Sequence, residues 1–447
     1  MYEDRPQFSG FMQPCRFEGD IQNLPFEGSI PAEIEGTFYR VMPDPHQIPF
    51  ISDDPWFNGD GNISAFNIKD GRCHFKQKYV RTEKFIREAA AGRALVGKYR
   101  NKYTDAVAFR DFDGQLPSFT FTAHPRIDPI SKELIGFGYE ALGDGTPDVC
   151  YFTISPDGKF TQTVWMTAPV VAMIHDFAVT ENWVLFPIIP QCCDVERMKQ
   201  GGEHWEWNPN IPFYIGVLPR YGGTGADVKW FEAPNAFPGH TLNAFEDEQG
   251  NINFDLPLCD VNVMFWWPDS EGNAPAPETI TSPLVRFTFD PRSDSLTLPE
   301  PRKLVELDNE FGKIDDRCSF KEHRHSFLLL KDFTLPTDWK RAGPRMGGGW
   351  PPYNGLGHFD EKEGKLVTYS PGPMHFIQEP VFVCRKGDNV PEGDGWVVAL
   401  VNNVETMLSE LHIVDTRNFE KPQAIVHIGV RLRPGLHGNW VDVEDTK

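Results

Sequence analysis

The 447-residue sequence lacks the features that mark several classes of protein. Its eight cysteines include no Cys-x-x-Cys motif and one adjacent pair, Cys192-Cys193, a distribution typical of reduced thiols and not of a disulfide framework. Positive charge is scarce, since 43 Lys and Arg face 64 Asp and Glu and the net charge is −21. We therefore expect neither nucleic acid nor an anionic membrane surface as a partner.

Signals for membrane insertion and secretion are also missing. The apolar run 168–190 is interrupted by His175, Asp176 and Glu181, so it is a poor membrane span. No apolar core follows the opening residues Met1 to Arg5, which argues against a secretory signal. We therefore expect a cytoplasmic protein without stable membrane insertion.

The composition favours short strands joined by tight turns. Aromatic residues make up 13% of the chain, 35 of them Phe, and there are 39 Gly and 39 Pro. Residues 149–166, VCYFTISPDGKFTQTVWM, are one of many strand-turn-strand units, here with a Pro-Asp-Gly turn. These units are too many for one sandwich, so an all-β propeller is the better prediction, although no repeated motif such as Trp-Asp defines a period. No linker separates domains, and we expect one domain over residues 1–447.

Helix signals are few. One helix is predicted from about Thr82 to Lys98, with Thr82 as its N-cap and Gly97 near its end. The Gly- and Pro-rich residues 341–358 are predicted to form a loop.

Four of the thirteen histidines share a sequence context. Each lies at the edge of an apolar, strand-like run, and Pro or Gly adjoins three of them: His124, His175, His240 and His437. In a propeller, separate blades would each direct one imidazole to the central axis, and such a ring would suit Fe(II), Zn(II) or Cu(II). Composition alone favours the alternative of four hydrogen-bonded histidines at strand ends. His323 and His325 are a rival metal pair if they alternate on a strand, but their charged neighbours indicate an exposed pair.

Motifs along nearly the whole chain resemble those of the carotenoid cleavage oxygenase family, and most closely its lignostilbene- and resveratrol-cleaving branch. The motifs are GTFYRVMPDP (36–45), FNGDGNISAF (57–66), FTAHPRIDP (121–129), FGYEALGDGTPDVCYF (137–152), MIHDFAVTENWVLFP (173–187), FPGHTLNAFED (237–247), EFGKIDDR (310–317), QEPVFV (378–383) and LRPGLHGNWVD (432–442). They occur in the family's order.

The resemblance implies a seven-bladed β-propeller under a cap of helices and loops. It implies Fe(II) on the axis, held by the four histidines named above, with Glu310 and Glu379 accepting hydrogen bonds from ligand rings. A carboxylate on the remote ring nitrogen would fix the tautomer and raise the basicity of the imidazole. The implied reaction is cleavage of the alkene bond between the rings of a stilbene-type phenolic, or of a related apocarotenoid, by O2 to give two aldehydes.

Candidate substrate-binding residues come from the same resemblance. Tyr103, in the RNKYTD segment, matches the tyrosine that contacts the substrate phenol, where it would share or accept the phenol proton. An aromatic-lined slot would suit such a substrate, and Phe57 and Phe121 are candidates for its lining. For each of these two rings, core packing is the favoured alternative.

One departure from the family pattern lies near residues 104–112. Asp105 is followed by only five residues before Asp111, so about thirty residues, roughly one β-hairpin, are missing from one blade. That hairpin carries the family's third glutamate and the lysine of the phenol contact, which match no residue here. The sequence therefore leaves two hypotheses open: an Fe(II) dioxygenase, or a catalytically impaired propeller that binds a phenolic ligand or a protein partner. A zinc hydrolase is disfavoured because no general base accompanies the histidines.

Overall fold

The computed structural model describes residues 5–51, 55–97, 100, 114–348 and 352–446. Strands dominate it, and the helices are α1 (Glu83–Ala91), α2 (Val195–Lys199) and α3 (Trp339–Met346), with short 3-10 turns between other elements. The strands are β1 (Gly19–Ile21), β2 (Phe26–Gly28), β3 (Gly36–Pro43), β4 (Gly61–Lys69), β5 (Arg72–Tyr79), β6 (Arg126–Ile127), β7 (Leu134–Tyr139), β8 (Asp148–Ile154), β9 (Phe160–Thr167), β10 (Ala172–Met173), β11 (Ala178–Val179), β12 (Trp183–Cys193), β13 (Trp205–Trp207), β14 (Phe213–Pro219), β15 (Lys229–Ala233), β16 (Phe237–Pro238), β17 (Asn243–Glu246), β18 (Ile252–Cys259), β19 (Leu284–Phe289), β20 (Arg302–Val305), β21 (Asp308–Ile314), β22 (His325–Lys331), β23 (Gly355–Asp360), β24 (Lys365–Tyr369), β25 (His375–Ile377), β26 (Val381–Cys384), β27 (Gly395–Asn403), β28 (Leu408–Asp415), β29 (Pro422–His427) and β30 (Gly438–Asp442).

Contacts divide the chain into two compact units. The first unit comprises residues 1–99, 309–315 and 324–447. Its three sheets have the strand orders β1-β5-β4-β3-β30, β2-β29-β28-β27-β25 and β21-β22-β23-β24. In the second of these sheets, β26 also pairs with β27. Phe38, Phe66 and Phe75 come from three neighbouring strands and pack in its largest apolar cluster. Alternation along these strands directs one face of each to the core.

The second unit comprises residues 100–308 and 316–323. Its three sheets have the strand orders β6-β7-β8-β9, β10-β12-β14-β15 and β16-β18-β19-β20. In addition, β11 and β13 pair with β12, and β17 pairs with β18. Phe137, Phe177 and Phe186 join the first two of these sheets in one apolar cluster. The prediction of a chain built mostly from strands is confirmed.

Interrupted strands recur in both units. β10 and β11 pair with the same partner β12, β16 and β17 pair with β18, and β25 and β26 pair with β27. In each case a few residues leave the ladder between two short strand segments. Because those residues do not pair with the neighbouring strand, their side chains need not alternate between the two faces of the sheet.

The helix predictions were partly wrong. α1 begins as predicted, since the Phe85 amide donates to the Thr82 hydroxyl at 3.1 Å. It ends at Ala91 and not at Lys98, because Gly92 is left-handed (φ +66°) and the Glu88 carboxylate accepts the amides of Leu95 and Val96. The predicted loop 341–358 holds most of α3 and the start of β23.

The predicted shortening near residues 104–112 lies outside the described residues. Within the described part of the chain, each helix is too short or too polar to cross a lipid bilayer.

Candidate metal centre

Three of the four predicted histidines lie at strand interruptions in the second unit. The Thr122 amide bonds the Phe137 carbonyl and Arg126 pairs with Ile135, so residues 123–125, which include His124, bulge opposite a single residue. Pro125 cannot donate a ladder hydrogen bond, which explains why the ladder breaks there. His175 lies between β10 and β11, and His240 lies between β16 and β17.

The three imidazoles converge through their Nε2 atoms. The Nε2 of His175 lies 3.1 Å from the Nε2 of His124 and 3.1 Å from the Nε2 of His240. The ring centroids are 4.8, 4.9 and 5.0 Å apart, and the ring planes are steeply inclined to one another. All three side chains are half-buried.

This geometry fits a metal ion. Two nitrogens bound at about 2.1 Å lie about 3 Å apart at right angles and about 3.4 Å apart at the tetrahedral angle. The observed 3.1 Å spacings are therefore near those of ligands at right angles, an arrangement that leaves further coordination positions open. Neutral imidazoles suit Fe, Zn, Cu or Ni. A cation between the rings would also relieve the repulsion of lone pairs that face one another.

His437 belongs to the first unit, where it directly precedes β30. Its Nδ1 lies 3.1 Å from the Glu379 carboxylate, which is 3% exposed and sits in the interruption between β25 and β26. Arg40 and Lys313 donate to the same carboxylate at 3.0 and 2.7 Å. Burial alone would raise the pKa of Glu379, but Lys313, His437 and Arg40 hold it well below the usual value, so the group is an anion.

Glu310 lies in β21, half-buried. Its carboxylate accepts a hydrogen bond from the Phe311 amide at 2.8 Å. Phe311 has a positive φ of +52°, which is uncommon for a bulky residue, and its ring lies 5.7 Å from that of His437.

Two of the three predicted substrate-binding residues lie among the described residues, and Tyr103 lies outside them. Phe57 is half-buried in the first unit and makes an edge contact with Trp56. Phe121 belongs to the second unit and packs against Phe152 in a small apolar cluster.

His323 and His325 do not form the alternating strand pair that the rival metal site required, and the expectation of an exposed pair was wrong for His323. β22 begins at His325, so His323 is not on the strand and the two rings do not alternate as a pair. His323 is 4% exposed, and its Nδ1 lies 3.1 Å from the amide nitrogen of Asn243 in the same unit. His325 instead contacts His358.

Another group of potential ligands is Glu140, Cys193 and His204 in the second unit. Burial raises the pKa of the Cys193 thiol, so it stays protonated. The Glu140 oxygens already accept hydrogen bonds from Arg100 and from the Gly145 amide, both at 2.7 Å. One of these oxygens also lies 2.9 Å from Nε2 of His204. This group is therefore an ion-paired cluster in which protein donors already bind the Glu140 oxygens.

Sequence reasoning missed three residues beside the converging imidazoles. Arg126, Asp176 and Thr241 lie two, one and one positions after His124, His175 and His240, and they bond to one another. The only signal in the sequence was a charged or hydroxyl side chain at those positions.

Comparisons with known proteins agree with these observations. The family model described as retinal pigment epithelial membrane protein (RPE65) matches residues 12–113 and 105–442. The chain is 56% identical to resveratrol cleavage oxygenase 1 of Aspergillus fumigatus, over 99% of this chain and 97% of that protein. It is 36% identical to lignostilbene-alpha,beta-dioxygenase isozyme III of Sphingomonas paucimobilis, over 99% and 98% of the two chains. The crystal structure of Pseudomonas brassicacearum lignostilbene dioxygenase matches with a TM-score of 0.94 and 38% identity, over 99% of both chains.

The comparisons also bear on the shortened segment. The two parts of the family match meet at residues 105–113, where the sequence departs from the family pattern. The alignment with the Aspergillus relative extends over 483 positions, although this chain has 447 residues, so that relative contains residues without a counterpart here. The match over nearly the full length, together with the converging imidazoles, establishes that the chain belongs to the RPE65/carotenoid oxygenase family.

Proposed function

We propose that the chain is a non-haem Fe(II) dioxygenase that cleaves the interphenyl alkene bond of a stilbene-type phenolic with O2. The alkene carbons each gain one oxygen atom, so one alkene and one O2 give two aldehydes. The named activities of its relatives, resveratrol cleavage and lignostilbene dioxygenation, support this assignment of reaction and substrate class.

The observation that carries the proposal is the convergence of three Nε2 atoms at 3.1 Å spacings. In this proposal His437 supplies the fourth ligand, in a seven-bladed propeller like that of the family. Its Nδ1 already faces the Glu379 carboxylate, so Nδ1 carries the proton and Nε2 keeps its lone pair for a metal. Glu310 is proposed to orient a second ligand ring.

When bound, Fe(II) would supply activation of O2, because four neutral ligands leave coordination positions open and add no negative charge. The protein's own part is to hold the imidazoles and to bind the alkene beside them. Tyr103 is proposed to share the proton of the substrate phenol, and Phe57 and Phe121 to line the apolar slot. No residue needs to act as a general base, since no proton is removed from carbon.

The test is anaerobic reconstitution with Fe(II), then exposure to O2 with resveratrol or isoeugenol and detection of the aldehydes. We expect stoichiometric iron, both aldehydes, and label from 18O2 in each product when exchange with water is controlled. A matched His437→Ala variant should lose iron and product. Iron at full occupancy without product would support the alternative, a propeller that only binds a phenolic ligand. Failure of the wild-type chain to bind iron would refute the proposal.

A further inference from the structure

One buried carboxylate joins the segments that carry the three converging imidazoles. Asp176 follows His175 directly and is 4% exposed. Its Oδ2 accepts the backbone amide of Thr241 at 2.8 Å, and Thr241 follows His240. Its Oδ1 lies 2.9 Å from the guanidinium of Arg126, two residues after His124. A single side chain therefore links all three chain segments.

Arg126 and Thr241 close the network. Arg126 Nη2 lies within hydrogen-bond distance of four acceptors, which share its two N–H groups: both Asp176 oxygens at 2.9 and 3.1 Å, the Phe177 carbonyl at 3.2 Å and the Thr241 hydroxyl at 2.5 Å. The Thr241 hydroxyl lies 2.9 Å from Asp176 Oδ2 and 3.0 Å from the Phe177 carbonyl oxygen, to one of which it donates. These bonds connect three different sheets, at the first residue of β6 in one sheet and at the strand interruptions of the other two.

The described bonds of this network reach backbone groups of Thr241 and Phe177. Residues in the interruptions have few ladder bonds of their own, so their relative positions need another restraint. A charged carboxylate with several donors in a buried setting is such a restraint, because each bond is charge-assisted and directional. Small displacements matter here, since a metal ion requires its ligands within a few tenths of an ångström.

We propose that Asp176, with Arg126 and Thr241, is a positioning residue that sets the spacing of the His124, His175 and His240 imidazoles for metal binding. This inference rests on the proposed function, since it assumes that the imidazoles hold a metal ion. It assigns the three residues no contact with substrate.

The experiment measures Co(II) binding to the full chain by titration and records the visible absorption of the Co(II) form, which reports ligand geometry. The test variant is Asp176→Asn. The matched control is Asp255→Asn, the same change in a buried carboxylate whose bonds to Arg286, at 2.6 and 2.7 Å, run between the adjacent strands β18 and β19. Unfolding by urea of the metal-free proteins provides the measure of stability.

We expect Asp176→Asn to weaken Co(II) binding by about 10- to 100-fold and to alter the absorption spectrum, as losses around metal ligands do. Asp255→Asn should lower stability but leave the affinity and the spectrum as in the wild type. Should Asp176→Asn not fold, Thr241→Val replaces it, with Thr241→Ser as the conservative variant that restores the wild-type spectrum.

The outcomes separate the two proposals. Wild-type affinity and spectrum in Asp176→Asn, or in Thr241→Val, would overturn the positioning role while leaving the proposed function intact. A wild-type chain that binds Co(II) and responds to Asp176→Asn, but forms no aldehyde with iron, would support positioning and refute the enzyme. A wild-type chain that binds no Co(II) would refute both.

Discussion

Glu379→Gln should weaken both the fold and the metal site. In the wild type the buried Glu379 carboxylate neutralises the charge of Arg40, which is also 3% exposed. It also accepts a hydrogen bond from Lys313, which is 32% exposed. When the Glu379 charge is removed, the Lys313 ammonium can reorient into solvent, but the buried Arg40 guanidinium cannot. An uncompensated buried charge costs about 3–5 kcal/mol, and part of that is recovered here because Gln378 still accepts from Arg40 at 2.9 Å. We therefore expect a loss of about 2–4 kcal/mol in the free energy of unfolding.

The effect on metal binding has a separate cause. Glutamine in place of Glu379 removes the anion beside Nδ1 of His437, so the preference for the Nδ1–H tautomer weakens and affinity falls by about 10- to 100-fold. Urea unfolding of the metal-free chain and a Co(II) titration measure the two effects. Glu88→Gln is the control. Like Glu379, Glu88 is buried and pairs with a cation, since it lies 3.2 Å from Lys84, but its other hydrogen bonds come from backbone amides and not from an imidazole. It should lose stability and keep its metal affinity. Equal metal affinity in Glu379→Gln and the wild type would refute the reasoning.

Two further predictions concern packing and pH. Gly138→Ala would make its Cβ clash with the Ser118 hydroxyl and the Thr120 carbonyl oxygen, so the segment that leads to His124 must move. We expect a loss of about 1–3 kcal/mol in the free energy of unfolding and weaker Co(II) binding. Wild-type values of both would contradict this. Asp360→Asn removes a carboxylate that accepts two bonds from Arg324, which lower the pKa of Asp360 to about 2 from 3.8. Because this folded-state pKa is depressed, the stabilisation is present above about pH 4 and is lost towards pH 2. The pair is partly exposed, so the difference at pH 7 should be about 1 kcal/mol or less, and a urea-unfolding difference that persists at pH 2 would exclude the ion pair as its source.

The sequence was most informative where one residue type recurs in one context. His124, His175 and His240 lie far apart in the chain, and the position of each at the edge of an apolar, strand-like run selected them. Spacing alone did not distinguish metal ligands from ordinary histidines at strand ends, and the resemblance to a family decided between them. His323 shows why: its charged neighbours predicted an exposed ring, yet the ring is buried because Asn243 binds it from another part of the chain.

Helix periodicity failed where side-chain contacts outside that periodicity decide the structure. The predicted continuation of α1 to Lys98 had favourable residues, but the Glu88 carboxylate binds the amides of Leu95 and Val96 and turns the chain back. α3 forms in a Gly- and Pro-rich stretch because Asp338 caps its start and Ala342 and Met346 pack into an apolar cluster. Neither set of contacts produces a periodic pattern of apolar residues that could be recognised in the sequence.

Strand interruption explains where the proposed site residues occur. In an unbroken strand, alternate side chains point to opposite faces and the ladder fixes both their direction and their spacing. Leaving the ladder frees a short segment, and His175, His240 and Glu379 each lie in such a segment between two strand pieces that share one partner. Freedom from the ladder also removes the hydrogen bonds that would hold the segment still. A carboxylate such as Asp176, which bonds across three sheets, restores that restraint without restoring the alternation. The sites for chemistry and the need for a positioning network therefore have the same structural origin.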